Sequence, residues 1–100
     1  MNRIALVARL KPGAQEKASG LLEQGPPFDP AERGLAWHAV YLSAGEVVFV
    51  FEGDEVELIV NEIVNEPFGA VAEALGTWRE LVEDPPRIAR PVYSWGSDED

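Results

Sequence analysis

The chain has 100 residues, 46 % of them apolar and 26 % charged, with no cysteine and a formal net charge of -10. That length suits one ordinary domain with a real core, and the missing thiols exclude disulfides, thiolate metal sites and cysteine nucleophiles, leaving the cytoplasm as the expected compartment. The acidic balance disfavours nucleic acid and anionic membrane, because both need a basic surface that eight Lys and Arg cannot supply; its plain use is solubility, and its alternative use is docking a basic partner.

Ile4 to Leu10 is an apolar run broken only by Arg9 and ended by Pro12-Gly13, so it predicts a first strand rather than a leader peptide. No apolar stretch approaches the ~20 residues that span a bilayer. From Ala14 the period changes: Ala14, Ala18, Leu21 and Leu22 share one helical stripe, and Gly25-Pro26-Pro27 stops that helix. Asp29-Pro30-Ala31-Glu32 has the pattern of a single capped helical turn, with Gly34 as its exit. Leu35 to Leu42 and Val47 to Phe51 are rich in β-branched and aromatic residues and predict a hairpin across Ser43-Ala44-Gly45.

Gly45 suits the left-handed position of a three-residue loop, which sets Leu42 opposite Glu46 and Trp37 opposite Phe51. Trp37, Ala39, Tyr41, Val47, Phe49 and Phe51 then share one face, with His38, Val40, Val48 and Val50 on the other. Asp54-Glu55-Val56-Glu57 repeats the capping pattern ahead of a second helix through Val56, Ile59, Val60, Ile63 and Val64. Pro67 interrupts it, and Val71, Leu75, Trp78 and Val82 continue the stripe as far as Asp84-Pro85-Pro86. Ile88 to Trp95, with Pro91 inside, predicts a last strand at an edge or carrying a bulge. Residues 1–96 are expected to form one domain and residues 97–100 an acidic disordered tail.

Strand, helix, strand, strand, helix, strand is the split βαβ order of a ferredoxin-like α+β domain, a four-stranded antiparallel sheet with both helices on one face. A sheet with one wet face should alternate, yet these strands are apolar on both parities. With no element left to cover the second face, a second copy is the economical cover: about eight apolar side chains, at ~1.5–3 kcal/mol each, could offset the ordering cost of a homodimer. The strand ending in Lys11-Pro12-Gly13, the central hairpin, the broken second helix with Trp78-Arg79-Glu80-Leu81-Val82 and the short closing strand resemble the dimeric α/β-barrel superfamily, which includes antibiotic-monooxygenase-like and stress-responsive barrel proteins. The resemblance spans roughly residues 2 to 95 and implies two sheets packed into a barrel with a small cavity in each protomer. Members include cofactor-free oxygenases, haem-degrading enzymes, small isomerases and lyases, so fold does not choose a function.

His38, the single histidine, is the candidate catalytic base, since it alone titrates near neutrality without a shifted pKa; the competing reading is a hydrogen-bonded, inert histidine on the sheet. Arg9 could hold a carboxylate or enolate oxygen, or could simply pair with an acidic residue at a strand end. Trp37, Tyr41, Phe49, Phe51, Tyr93 and Trp95 could line an aromatic ligand cavity, or form interface core. Trp78 reads as core. Haem-degrading relatives combine Asn, Trp and His; Asn2 and Trp78 are present here without a histidine on or after the second helix, so that activity is not carried over. Asn61 and Asn65 read as a solvated face, and Ser19 and Ser43 lack a flanking base. Neither a metal nor a cofactor is expected.

Three functions follow. The first is a small-molecule-binding barrel for a small hydrophobic or aromatic ligand, oriented by Arg9 or His38. The second is a cofactor-independent monooxygenase- or isomerase-like enzyme with His38 as general base. The third is a structural or protein-interaction dimer without small-molecule chemistry.

Overall fold

A computed structural model describes residues 2–96; the expected acidic tail, 97–100, lies outside the described residues. Its elements are β1 (Asn2–Arg9), α1 (Gln15–Glu23), β2 (Leu35–Leu42), β3 (Glu46–Gly53), α2 (Val56–Val64), α3 (Ala70–Leu81) and β4 (Arg87–Ala89). All strand pairs are antiparallel, in the order β2-β3-β1-β4. This is the ferredoxin-like α+β arrangement expected from the sequence.

Strand β1 is central and places Ile4, Leu6 and Ala8 opposite Phe51, Phe49 and Val47. Those six side chains face the helices. Ile4, Leu35 and Phe51 pack with Val56, Val60, Ile63 and Val71 at one end of the sheet, and Ala8 and Val47 with Ala14, Ala18 and Leu81 at the other. Phe49 packs against both clusters, so it joins the two halves of the core. The opposite parity, Ala5 and Val7 with Val48 and Val50, looks away from the helices.

Helix α1 ends as expected: the Gln24 amide bonds back to the Leu21 and Leu22 carbonyls, and Gly25 takes φ 82°, a left-handed exit that a Cβ would penalise. Residues 29–34 form the single capped turn expected: the Arg33 amide bonds back to the Asp29 carbonyl, and Gly34 leaves at φ 89°. Asp29 Oδ1 accepts the Ala31 amide at 3.0 Å, and the Leu35 amide reaches back to the Pro30 carbonyl.

Three expectations are corrected. The hairpin register is one residue from that expected: Leu42 lies opposite Val47 and His38 opposite Phe51, which puts Trp37 and Phe51 on opposite faces. The cause is the turn. Neither Ala44 nor Gly45 is left-handed; Ser43 and Glu46 close a two-residue turn, with the Ser43 amide donating to the Glu46 carbonyl and the Glu46 amide donating to Ser43 Oγ at 3.1 Å. A bulge at Ala36 then returns Leu35 to the helix face. Helix α2 begins after a left-handed Glu55 (φ 54°) whose side chain makes no capping bond. The last strand covers only Arg87–Ala89, because β1 pairs it no further than Ala5 and Pro91 brings no amide hydrogen to a ladder.

Candidate functional site

A cavity of about 910 Å³ lies between the helix face of the sheet and the helices, within the ~300–1,000 Å³ usual for small-molecule sites. Its sheet wall includes Leu6, His38, Val40, Phe49 and Phe51; helices α2 and α3 contribute Val60, Val71, Leu75 and Trp78, and the segment from Gln24 to Phe28 closes one side. Trp78 meets Phe49 edge to face at 5.2 Å between ring centroids. The lining is therefore chiefly aromatic and aliphatic, the composition that rewards a flat apolar guest.

His38 is the polar feature of the sheet wall. The corrected register turns it toward the helices, where its ring stacks on Phe51 at 4.6 Å and meets Phe28 at 5.9 Å. Its Nδ1 is 2.9 Å from the Val50 carbonyl oxygen. A carbonyl only accepts, so Nδ1 carries a hydrogen, which selects the tautomer whose lone pair lies on Nε2. The ring is thus held by a backbone bond and two aromatic neighbours, and Nε2 is the atom able to accept a proton.

The remaining sequence-predicted site residues do not gather with it. Phe49 and Phe51 line the cavity, whereas Trp37 and Tyr41 are exposed on the opposite sheet face, Trp37 beneath the Arg3 guanidinium at 5.3 Å. Trp95 and Tyr93 are 88 % and 80 % exposed beyond β4. Arg9 donates to Asp84 at 2.6 Å and lies 4.0 Å from Glu83. That hydrogen bond first, and the Asp84 charge second, hold its pKa above the ordinary arginine value. Asn61 and Asn65 bond to each other at 3.0 Å on the exposed side of α2, with Asn61 reaching the cavity rim.

Sequence reasoning passed over Phe28, Arg33 and Glu66. The Arg33 guanidinium lies 5.6 Å from the Phe28 ring and pairs with Glu66 at 2.5 Å, tying the segment before β2 to the corner between α2 and α3. The signal was faint: one aromatic side chain in an otherwise turn-like stretch, Pro26 to Pro30. A second hollow of about 550 Å³ lies near Arg3, Glu57, Arg90 and Tyr93, but Arg90 is already bound there by Glu57 at 2.6 Å. Among the described residues, no group of three or more His, Asp or Glu is placed to hold a metal ion, and no helix is long and apolar enough to cross a membrane.

No family model matches the chain, and no curated protein matches it. Solved structures do. Tetracenomycin F2 cyclase from Streptomyces glaucescens, a type-II polyketide cyclase, superposes with TM-score 0.65 at 18 % identity over 97 % of this chain and 99 % of its own. A protein of unknown function from Nitrosomonas europaea gives 0.63 at 21 % identity, covering 99 % and 98 %. A candidate antibiotic biosynthesis monooxygenase from Chloroflexus aurantiacus gives 0.54 at 19 %, covering 94 % and 95 %. Likeness at this level of identity shows the fold, which is that of the proteins the sequence resembles, and leaves the chemistry to this chain's own residues.

Proposed function

We propose that the protein is a small-molecule-binding homodimer whose ligand is small, hydrophobic or aromatic and sits between sheet and helices. The observation that carries this reading is the cavity itself, about 910 Å³ with Phe28, Phe49, Phe51 and Trp78 in its walls and one imidazole among them. Apolar walls supply affinity in proportion to the area removed from water, at ~25 cal/mol per Å², while His38 Nε2 offers one polar contact that orients the guest. The cyclase among the structural neighbours acts in polyketide chemistry, which agrees with an aromatic guest.

The dimer is supported by the face that the helices leave open. Ala5, Val7, Ala39, Val48 and Val50 make its centre, with Trp37 and Tyr41 beside them. Beyond β4, Val92, Tyr93 and Trp95 are also exposed. Apolar side chains in such number are what a second copy would bury.

Titration with a neutral naphthalene dye tests the binding site. Saturable fluorescence enhancement at one site per chain, weakened by Trp78→Ala and displaced by flat aromatic compounds, is the expected result. A linear, unsaturable response indifferent to that substitution would remove the reading.

The free lone pair of His38 favours one second reading, an enzyme in which Nε2 takes the proton from an acidic C–H of an aromatic or polyketide-like substrate and leaves a carbanion delocalised into the ring system. Turnover would then vanish in His38→Ala. Turnover of such a substrate that survives the substitution would exclude it.

A further inference from the structure

The residue that decides what reaches His38 does not belong to the regular elements. Phe28 lies in the segment between α1 and β2, lines the cavity, and meets the His38 ring at 5.9 Å between centroids. Phe51, the cross-strand neighbour of His38, is the other ring in contact, at 4.6 Å and nearly parallel. The two contacts differ in origin. Phe51 belongs to the central hairpin and moves only if the sheet moves, whereas Phe28 is carried by a stretch that leaves α1 through the left-handed Gly25 and enters β2 through the left-handed Gly34. Residues 29–34 are closed by turn bonds of their own, but Pro26 and Pro27 bring no amide hydrogen ahead of Phe28, so its ring depends on the side-chain contacts it makes.

One of those contacts is ionic. Arg33 covers the Phe28 ring at 5.6 Å and is anchored by Glu66 at 2.5 Å, and both charged side chains are about two-thirds shielded from water. Glu66 follows the end of α2, in the connection to α3. The chain of contacts therefore runs from the α2–α3 corner through Glu66, Arg33 and Phe28 to His38.

We infer that Phe28 is the access- and specificity-determining residue of the cavity, held over His38 by the Arg33–Glu66 pair. In its closed position it limits the guest that can meet Nε2 to one thin enough to pass beside a phenyl ring; displaced, it opens the segment from Gly25 to Gly34. Phe28 is a positioning residue and needs no part in any reaction. The inference rests on the cavity being a ligand site, but its test reads His38 directly and needs no ligand, so either can fail without the other.

His38 is the single histidine of the chain, so carbethoxylation by diethyl pyrocarbonate, followed by ultraviolet difference absorbance and located by mass spectrometry, reports access to one known imidazole. The wild-type protein is expected to react more slowly than free N-acetylhistidine. Phe28→Ala should react several-fold faster than wild type, and Phe28→Tyr, which keeps the ring, should stay near it. Arg33→Gln and Glu66→Gln should each speed the reaction by about twofold to fivefold, the range a pair of this exposure can supply, and the double variant should go no further than either single one. A gate raises the plateau rate at high pH and leaves the pH midpoint of the reaction in place, whereas a change in imidazole basicity moves the midpoint.

Equal plateau rates in wild type, Glu66→Gln and Phe28→Ala would overturn the inference, as would a wild-type rate equal to that of free imidazole. If Phe28→Ala does not fold, as judged by circular dichroism, Phe28→Leu and the two charge variants decide the matter alone. Dye titration of the same variants reads the ligand site separately: a faster-reacting Glu66→Gln with no dye binding in any variant would uphold the gate and reject the ligand.

Discussion

A Cβ added at Gly53, where β3 ends, would lie 3.0 Å from the Gly34 carbonyl oxygen and 3.4 Å from Leu35 Cα. Both are backbone atoms and cannot rotate aside. Gly53→Ala should therefore destabilise the chain by about 1–3 kcal/mol, the usual cost of overpacking, measured by denaturant unfolding; a variant as stable as wild type would show that β2 can shift away freely. His38 was legible as a residue because it is the only histidine, but its surroundings were not, since its direction depends on a register that the sequence alone left one residue out. Arg9 was legible as an interruption of an apolar strand, and its partners, Asp84 and Glu83, come from a part of the chain that no local pattern connects to β1. Glu57 adds a titration. Hydrogen bonds from Arg90 hold its carboxyl below the ordinary glutamate range, against an opposing effect of desolvation. The unfolded chain binds that proton more readily, so the pair supports folding above about pH 4.3 and its contribution fades as the pH falls through the folded-state value. Glu57→Gln should lower the thermal midpoint at neutral pH and converge on wild type in acid; a gap that stays constant with pH would show that the charge is not responsible.

At the scale of elements, apolar period placed every strand and helix in order, because burial on a sheet or under a helix leaves a repeating mark in the sequence. What period does not carry is turn closure. Gly45 invites a left-handed turn, yet the hairpin is closed by a hydroxyl: Ser43 Oγ takes the Glu46 amide, and neither central residue needs a positive φ. Ser43→Ala should leave the register intact, since Val47 and Phe51 remain committed to the core, but cost about 0.5–1.5 kcal/mol and speed hydrogen exchange at the Glu46 amide. Unchanged exchange there would mean that the Ser43 amide and the Glu46 carbonyl close the turn unaided. The last strand was overextended for a related reason: Val92, Tyr93 and Trp95 have strand-forming side chains, but β1 offers no partner beyond Ala5, and propensity without a partner makes no ladder.

For the whole molecule, the open sheet face sets the test. Val48 sits at its centre, opposite Val7 on one side and Tyr41 on the other, and points away from both core clusters. In the proposed dimer, Val48→Asp places a carboxylate from each copy in an apolar contact, where an unpaired charge costs several kcal/mol per ion even after relaxation. In the separated chain the same carboxylate reaches water. Wild type should therefore run by light scattering at twice the chain mass of 11.0 kDa and the variant at that mass alone, with circular dichroism unchanged. Leu58→Asp is the control, because Leu58 is also exposed but lies on α2, on the far side of the molecule from the open face. It should leave the assembly intact. A wild-type chain that stays monomeric at micromolar concentration would mean that the sheet tolerates water across Ala5, Val7, Val48 and Val50. A dimer that survives Val48→Asp but dissociates with Leu58→Asp would move the contact to the helices, and with it the cover of the cavity.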